Sequence, residues 1–180
     1  RTADGADKAV ALARDLGRIF GEAAVFLDKD DLRGGSSWRA EIGQTIAERP
    51  VLLLLMTPQL IEAVGADGKL RIADPADPVR RELEAAMTVG AQVIPLLCDG
   101  LAAPPDASRL PEPFNRIGEL TWRKLRAYDW DHDVQRLVAD LQALGVPRPV
   151  VHVKDTTAAA AREEKKPPKS LPAAIALGTV

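Results

Sequence analysis

The sequence predicts an α/β domain built on a mostly parallel sheet with helices on both faces. Stretches with helical apolar spacing alternate with short, almost wholly apolar runs along the chain. Those runs, residues 24–28, 51–56 and 92–98, are of the kind given by strands covered on both faces. Their order is helix, strand, helix, strand, helix, strand, then strand and helix, which calls for crossovers that return parallel strands to one sheet.

The first helix is predicted over residues 4–20, where Ala9, Leu12, Ala13, Leu16 and Phe20 share one face and Gly21 closes it. A strand over 24–28 leads into a polar, glycine-bearing loop, residues 29–37. Ser37 is a candidate N-cap for a second helix, in which Trp38, Ile42 and Ile46 recur at every fourth position until Pro50. Residues 51–56 follow as a buried strand, and residues 57–77 read as irregular. Asp77 as N-cap with Pro78 at the first helical position marks a sharp helix start. Val79, Leu83, Ala86 and Met87 form the apolar stripe of that helix, and Gly90 ends it. After a strand over 92–98 comes a proline-rich loop, residues 99–113, and an alternating edge strand over 119–125. The last helix is expected to be capped by Asp131 or a near neighbour. Its core face is Val134, Leu137, Val138 and Leu141, and Gly145 with Pro147 terminates it.

A domain over residues 1–146 is therefore expected, followed by a linker over 147–180. Residues 156–169 are alanine, charge and proline without an apolar face. Residues 171–180 turn apolar just after Lys165, Lys166 and Lys169. That run is far short of the ~20 residues needed to cross a bilayer. It reads either as the start of a membrane segment continuing beyond Val180 or as a frayed chain end.

Composition excludes several functions. The 24 basic and 26 acidic residues leave a net charge of -2, so no excess field points to nucleic acid or anionic lipid. The single cysteine, Cys98, excludes disulfides and cysteine-based zinc sites, and it lies in an apolar run that suits a buried thiol. His132 and His152 are too few and too far apart for a typical metal site. The start of the chain carries no signal-peptide pattern, so a cytoplasmic location is expected.

Ligands on such sheets gather at the carboxyl ends of the strands, here Asp28 with its loop, Met56-Thr57 and Cys98-Asp99. At these ends the sequence resembles a known family. Phe26-Leu27-Asp28-Lys29-Asp30-Asp31-Leu32-Arg33-Gly34-Gly35 is similar to the second strand and following BB loop of bacterial-type TIR (Toll/interleukin receptor) domains. The run 51–58 resembles their third strand and Val93-Ile94-Pro95-Leu96 their fourth. Asp77-Pro78-Val79-Arg80-Arg81-Glu82 resembles the helix carrying the catalytic glutamate of NAD-cleaving members, and Trp130-Asp131-His132-Asp133-Val134 the start of the last helix.

The resemblance implies a flavodoxin-like three-layer fold whose first strand is missing from the chain, because Arg1 matches the last arginine of the motif that ends that strand. It also implies NAD as substrate with no separate cofactor, and self-association with other TIR domains. Several NAD-cleaving relatives carry an aromatic residue four positions before the glutamate, where this chain has Pro78.

Glu82 is thus the candidate catalytic residue, and Arg1, Leu32, Gly34, Gly35 and Trp38 are the candidate substrate-binding residues. Nicotinamide leaves a ribose as a group that already bears positive charge, so no general acid is required. One carboxylate that stabilises the oxocarbenium-like ribose can suffice. Blander readings stand beside these. Glu82 can be a surface glutamate near a positive helix end, Gly34-Gly35 can simply turn the chain, and Trp38 can pack in the core. Arg1 can be solvated.

Two other classes are weighed as well. A non-catalytic TIR scaffold would use residues 30–35 as contact surface. A phosphoacceptor receiver domain could draw on Asp28, Asp30 and Asp31, but the middle strand ends in Met56-Thr57-Pro58 without its aspartate, and residues 95–100 lack its lysine. No nucleophile-elbow sequence supports a serine hydrolase.

Overall fold

The structure is a computed structural model and describes residues 3–27, 51–148 and 175–178. Its core is a five-stranded sheet in the order β1-β5-β2-β3-β4, with every neighbouring pair parallel. The strands are β1 (Val25–Leu27), β2 (Val51–Met56), β3 (Gln92–Cys98), β4 (Arg123–Leu125) and β5 (Ile175–Gly178). The described helices are α1 (Ala3–Phe20), α2 (Pro58–Glu62), α3 (Pro78–Thr88) and α4 (Trp130–Ala143).

The central strand shows why the sheet is sandwiched. All six residues of β2 are buried, and they alternate strictly between two cores. Val51, Leu53 and Leu55 point to one side, where they meet Leu12, Leu16 and Phe20 of α1 and Val134, Leu137, Val138 and Leu141 of α4. Leu52, Leu54 and Met56 point to the other, against Leu60 of α2, Val79, Leu83 and Ala86 of α3, and Phe114. The period of two in a strand converts a continuous apolar run into two faces, each needing its own helical cover.

The predicted elements are largely present, and the departures have local causes. Residues 57–77 contain the short helix α2, nucleated by Thr57, whose Oγ1 accepts from the Leu60 N–H at 3.2 Å, with Pro58 in the first turn. The edge strand is shorter than the predicted 119–125, because residues Phe114–Glu119 curl into a 3-10 turn that buries Phe114 and Ile117. The Trp122 Nε1–H closes on the Ile117 carbonyl at 3.1 Å and fixes that turn. At the start of α4 the cap position, expected at Asp131 or a near neighbour, falls on Asp129, whose carboxylate makes no bond to the helix N–H groups. It is engaged by Arg126 instead.

One departure changes the architecture. The sequence reading places 147–180 outside the domain, yet Ile175–Gly178 forms β5 between β1 and β2. It pairs with β1 in the register Val25↔Ile175 and with β2 in the register Val51↔Ile175. The predicted helix after Ser37 lies outside the described residues.

Candidate functional site

Helix α3 enters with its N-terminus at the carboxyl edge of the sheet, because its far end turns through Gly90 (φ +71°) directly into β3. The start of the helix is held firmly. Asp77 is 6% exposed, its Oδ1 accepts from the Arg80 N–H at 3.1 Å, and its Oδ2 accepts from Arg71 Nη2 at 3.2 Å. Arg80 in turn donates to the Ala73 carbonyl at 3.2 Å, pinning the preceding loop to the first turn. The Asp77-Pro78 start read from the sequence is thus both a cap and an anchor.

Glu82 sits on the second turn, about 6 Å along the helix from Pro78 at 1.5 Å rise per residue. In the structure Glu82 is 7% exposed and lies within the buried stripe formed by Val79, Leu83, Ala85 and Ala86. Glu84 points elsewhere: its side chain is 44% exposed and accepts from Arg80 Nε at 2.8 Å. The two glutamates, two residues apart in sequence, occupy opposite environments. A groove of about 530 Å³ runs along the flank of α3 that carries Arg80, Glu84 and Met87, and Glu82 is not in its wall.

The carboxyl edge is tied together by contacts that the sequence did not disclose. Gly100 follows β3 with φ +94°, and a Cβ there would lie 2.6 Å from Pro58 Cγ, so the exits of β2 and β3 touch only because this residue is glycine. Asp99 Oδ2 accepts from the Ala127 N–H at 3.0 Å and pairs with Lys8 of α1 at 3.6 Å. A cleft of about 380 Å³ opens beside them, lined by Cys98, Asp99, Gly100, Lys124, Arg126 and Tyr128 among others. Cys98 is 1% exposed, in keeping with a structural thiol.

Arg126 is the hub of this edge. Its Nε and Nη2 reach the two oxygens of Asp133 at 2.8 and 2.6 Å, and the Asp133 Oδ2 also accepts from the Arg126 N–H at 2.9 Å. The same guanidinium donates to Asp129 at 2.5 Å and lies 5.1 Å from the centre of the Tyr128 ring. The histidine spacing in the sequence gave no hint that the potential ligand atoms of His132, Asp129 and Asp133 lie within 4.8 Å of one another. A cation already stands between those carboxylates, the guanidinium of Arg126. The signal that could have found this hub is the pair of aspartates three and seven residues after Arg126, but only the turn into α4 points both back at it.

The hydrogen bonds from Arg126 hold the Asp133 carboxyl below the usual range, against an opposing contribution from burial. Because its folded pKa lies below the unfolded value of about 3.9, its contribution to stability is complete above that value and disappears as pH falls through the folded one. Urea midpoints followed from pH 7 to pH 2 are expected to fall, with a shallower fall in Asp133→Asn. An unchanged acid profile in that variant would remove Asp133 from the account.

Of the sequence candidates, the structure places Glu82 near the carboxyl edge. Arg1, Leu32, Gly34, Gly35 and Trp38 lie outside the described residues, so their grouping with Glu82 stays an expectation. Among the described residues no helix is long and apolar enough to cross a membrane.

The parallel sheet, its two helical layers and a carboxyl edge tied by loop contacts define a three-layer, flavodoxin-like α/β domain. The family profile of the TIR domain matches residues 1–138, and the chain belongs to that family. Domains of this family commonly self-associate, and they include both NAD-cleaving enzymes and scaffolds. No curated protein compared with the chain matches it.

Proposed function

We propose that this TIR domain hydrolyses NAD at the nicotinamide–ribose bond, with Glu82 as the carboxylate that stabilises the ribose as nicotinamide departs. The observation that carries this reading is the burial of Glu82. A glutamate kept only for its charge near a helix N-terminus has no reason to leave solvent, and Glu84 on the same helix stays there. Glutamate is almost never fully buried unless another group engages it, and this one lies on the second turn of a helix whose N-terminus faces the edge of the sheet where ligands of this fold class bind. The leaving nicotinamide loses its positive charge as the bond breaks, so the developing charge is on the ribose. A fixed anion in a low-dielectric setting is worth far more against that charge than one in water.

The second reading is a TIR scaffold that cleaves nothing and acts by docking on other TIR domains. Pro78 favours it, since this proline stands where several NAD-cleaving relatives have an aromatic residue. Incubating the clustered protein with NAD and following nicotinamide release separates the two. Sustained release supports the enzyme, whereas intact NAD in a folded, clustered sample leaves the scaffold.

A further inference from the structure

The loop between β2 and the Glu82 helix grips the first turn of that helix. After α2 the chain makes a tight hairpin. Arg71 donates its N–H to the Ala63 carbonyl at 2.8 Å, Gly65 donates to the Lys69 carbonyl at 2.7 Å, and Val64 pairs with Leu70. Leu70 and Ile72, on either side of Arg71, pack into the same core as Val79, Leu83 and Ala86 of α3. The backbone of Arg71 is therefore fixed before its side chain reaches out to Asp77 Oδ2 at 3.2 Å. A pair of exposed ions is worth little, but this pair is lopsided: the Asp77 side chain is 4% exposed and that of Arg71 is 37% exposed. A carboxylate taken out of water needs a partner for its charge. The other Asp77 oxygen is already engaged by the Arg80 N–H as the cap of α3. Taking away Arg71 removes the cation from a buried carboxylate on which the helix start depends.

We propose that Arg71 is a positioning residue for Glu82. Through Asp77 it sets the first turn of α3, and Glu82 follows on the next turn of the same helix. Arg71 acts through Asp77 and the helix, not on a substrate. A second tie runs the other way: Arg80 Nη1 donates to the carbonyl of Ala73, in the same 3-10 turn as Arg71. Loop and helix are thus fastened at two points, one on each side of the cap. A group that stabilises transition-state charge must be held in place by its surroundings to be effective. The effect on rate rests on the reading of Glu82 as the carboxylate that acts on NAD, whereas the hold on the helix does not.

The full chain is compared with Arg71→Ala, Arg71→Lys, Asp77→Asn and the double variant Arg71→Ala/Asp77→Asn. Nicotinamide release from NAD by the clustered protein and amide hydrogen exchange are both measured well below every thermal midpoint. Arg71→Ala is expected to lower kcat by about 10-fold or more, since a misplacement of ~1 Å at a reacting site costs on the order of 100-fold. KM should stay within about twofold, because only an interaction made in the transition state is weakened. Exchange should quicken at the amides of Arg80 to Leu83 and not in β2 or α4. Arg71→Lys keeps the charge and should recover part of the rate. Asparagine at 77 keeps an oxygen for the cap without a charge, so the loss of Arg71 then strands nothing. The double variant should therefore be faster than Arg71→Ala alone. Unchanged kcat and exchange in Arg71→Ala overturn the proposal. So does a double variant no faster than Arg71→Ala, or exchange that quickens through the whole domain. A wild-type chain that releases no nicotinamide overturns the NAD reading instead. In that case quickened exchange confined to Arg80 to Leu83 upholds the hold on the Glu82 turn, and unchanged exchange overturns it.

Discussion

Replacing Glu82 by alanine is expected to lower nicotinamide release from NAD by at least about 100-fold while leaving the domain folded. Loss of one fixed group that stabilises transition-state charge costs on the order of 100- to 1,000-fold in comparable sites. Glu82 is 7% exposed, so the substitution empties a buried position on α3. A thermal midpoint measured alongside checks that the variant remains folded as activity disappears. Glu82→Gln keeps the shape and removes the charge, and it should be nearly as inactive if charge is what the ribose needs. Glu84→Ala is the matched control. It breaks a partly exposed pair with Arg80 at 2.8 Å, of a kind worth about 0.2–1 kcal/mol, and should change the rate by about twofold or less. Equal losses at both positions would sink the assignment of Glu82, because a helix-wide disturbance would then explain the data.

Phe114→Ala is expected to destabilise the domain by about 3–5 kcal/mol, the range for removing a fully buried aromatic ring. The total stability of a domain is typically about 5–15 kcal/mol, so this one change would remove a large share of it. The ring is 0% exposed and packs with Leu54, Met56, Val79 and Leu83, beneath both the central strand and the Glu82 helix. A cavity there cannot close without moving β2 or α3, which is why the upper part of the range is expected. Leu120, a few residues on and 37% exposed, provides the contrast. Its replacement by alanine should stay within about 0.5 kcal/mol. Urea unfolding of the two variants settles the matter. A loss under 1 kcal/mol for Phe114→Ala would show that the segment after the proline-rich loop is not part of the cooperative core.

The elements legible in the sequence were those whose signals are local. Helix α1 shows its apolar face at positions 9, 12, 16 and 20, and its observed limits differ from the prediction by one residue at the start. The run Val51–Met56 could only be a strand covered on both sides, and the structure buries all six residues. The start of α3 was written in Asp77-Pro78, where a side-chain acceptor and a missing N–H both suit the first turn. Glu82 could be picked out by resemblance to a family motif, but its depth could not, since the stripe it joins is defined by what packs on the helix. The same holds for Arg126. Its charge is visible in the sequence, whereas its choice of Asp133 and Asp129 depends on the turn between β4 and α4.

The sequence by itself determined the class of the fold, the alternation of helices and buried strands, the carboxyl edge as the place for a site, and one candidate carboxylate. Only the tertiary structure decided that Phe114 and Ile117, in a stretch the sequence assigned to no element, enter the core, that Gly100 must be glycine for Pro58 to fit against it, and that Ile175–Gly178 belongs inside the sheet. The physical reason is the range of the interactions. Periodicity, capping and turn chemistry act over a few residues and leave their mark in order along the chain. Strand partnership and burial are satisfied between segments far apart in sequence, and a short apolar run does not say which sheet position will pair its backbone groups.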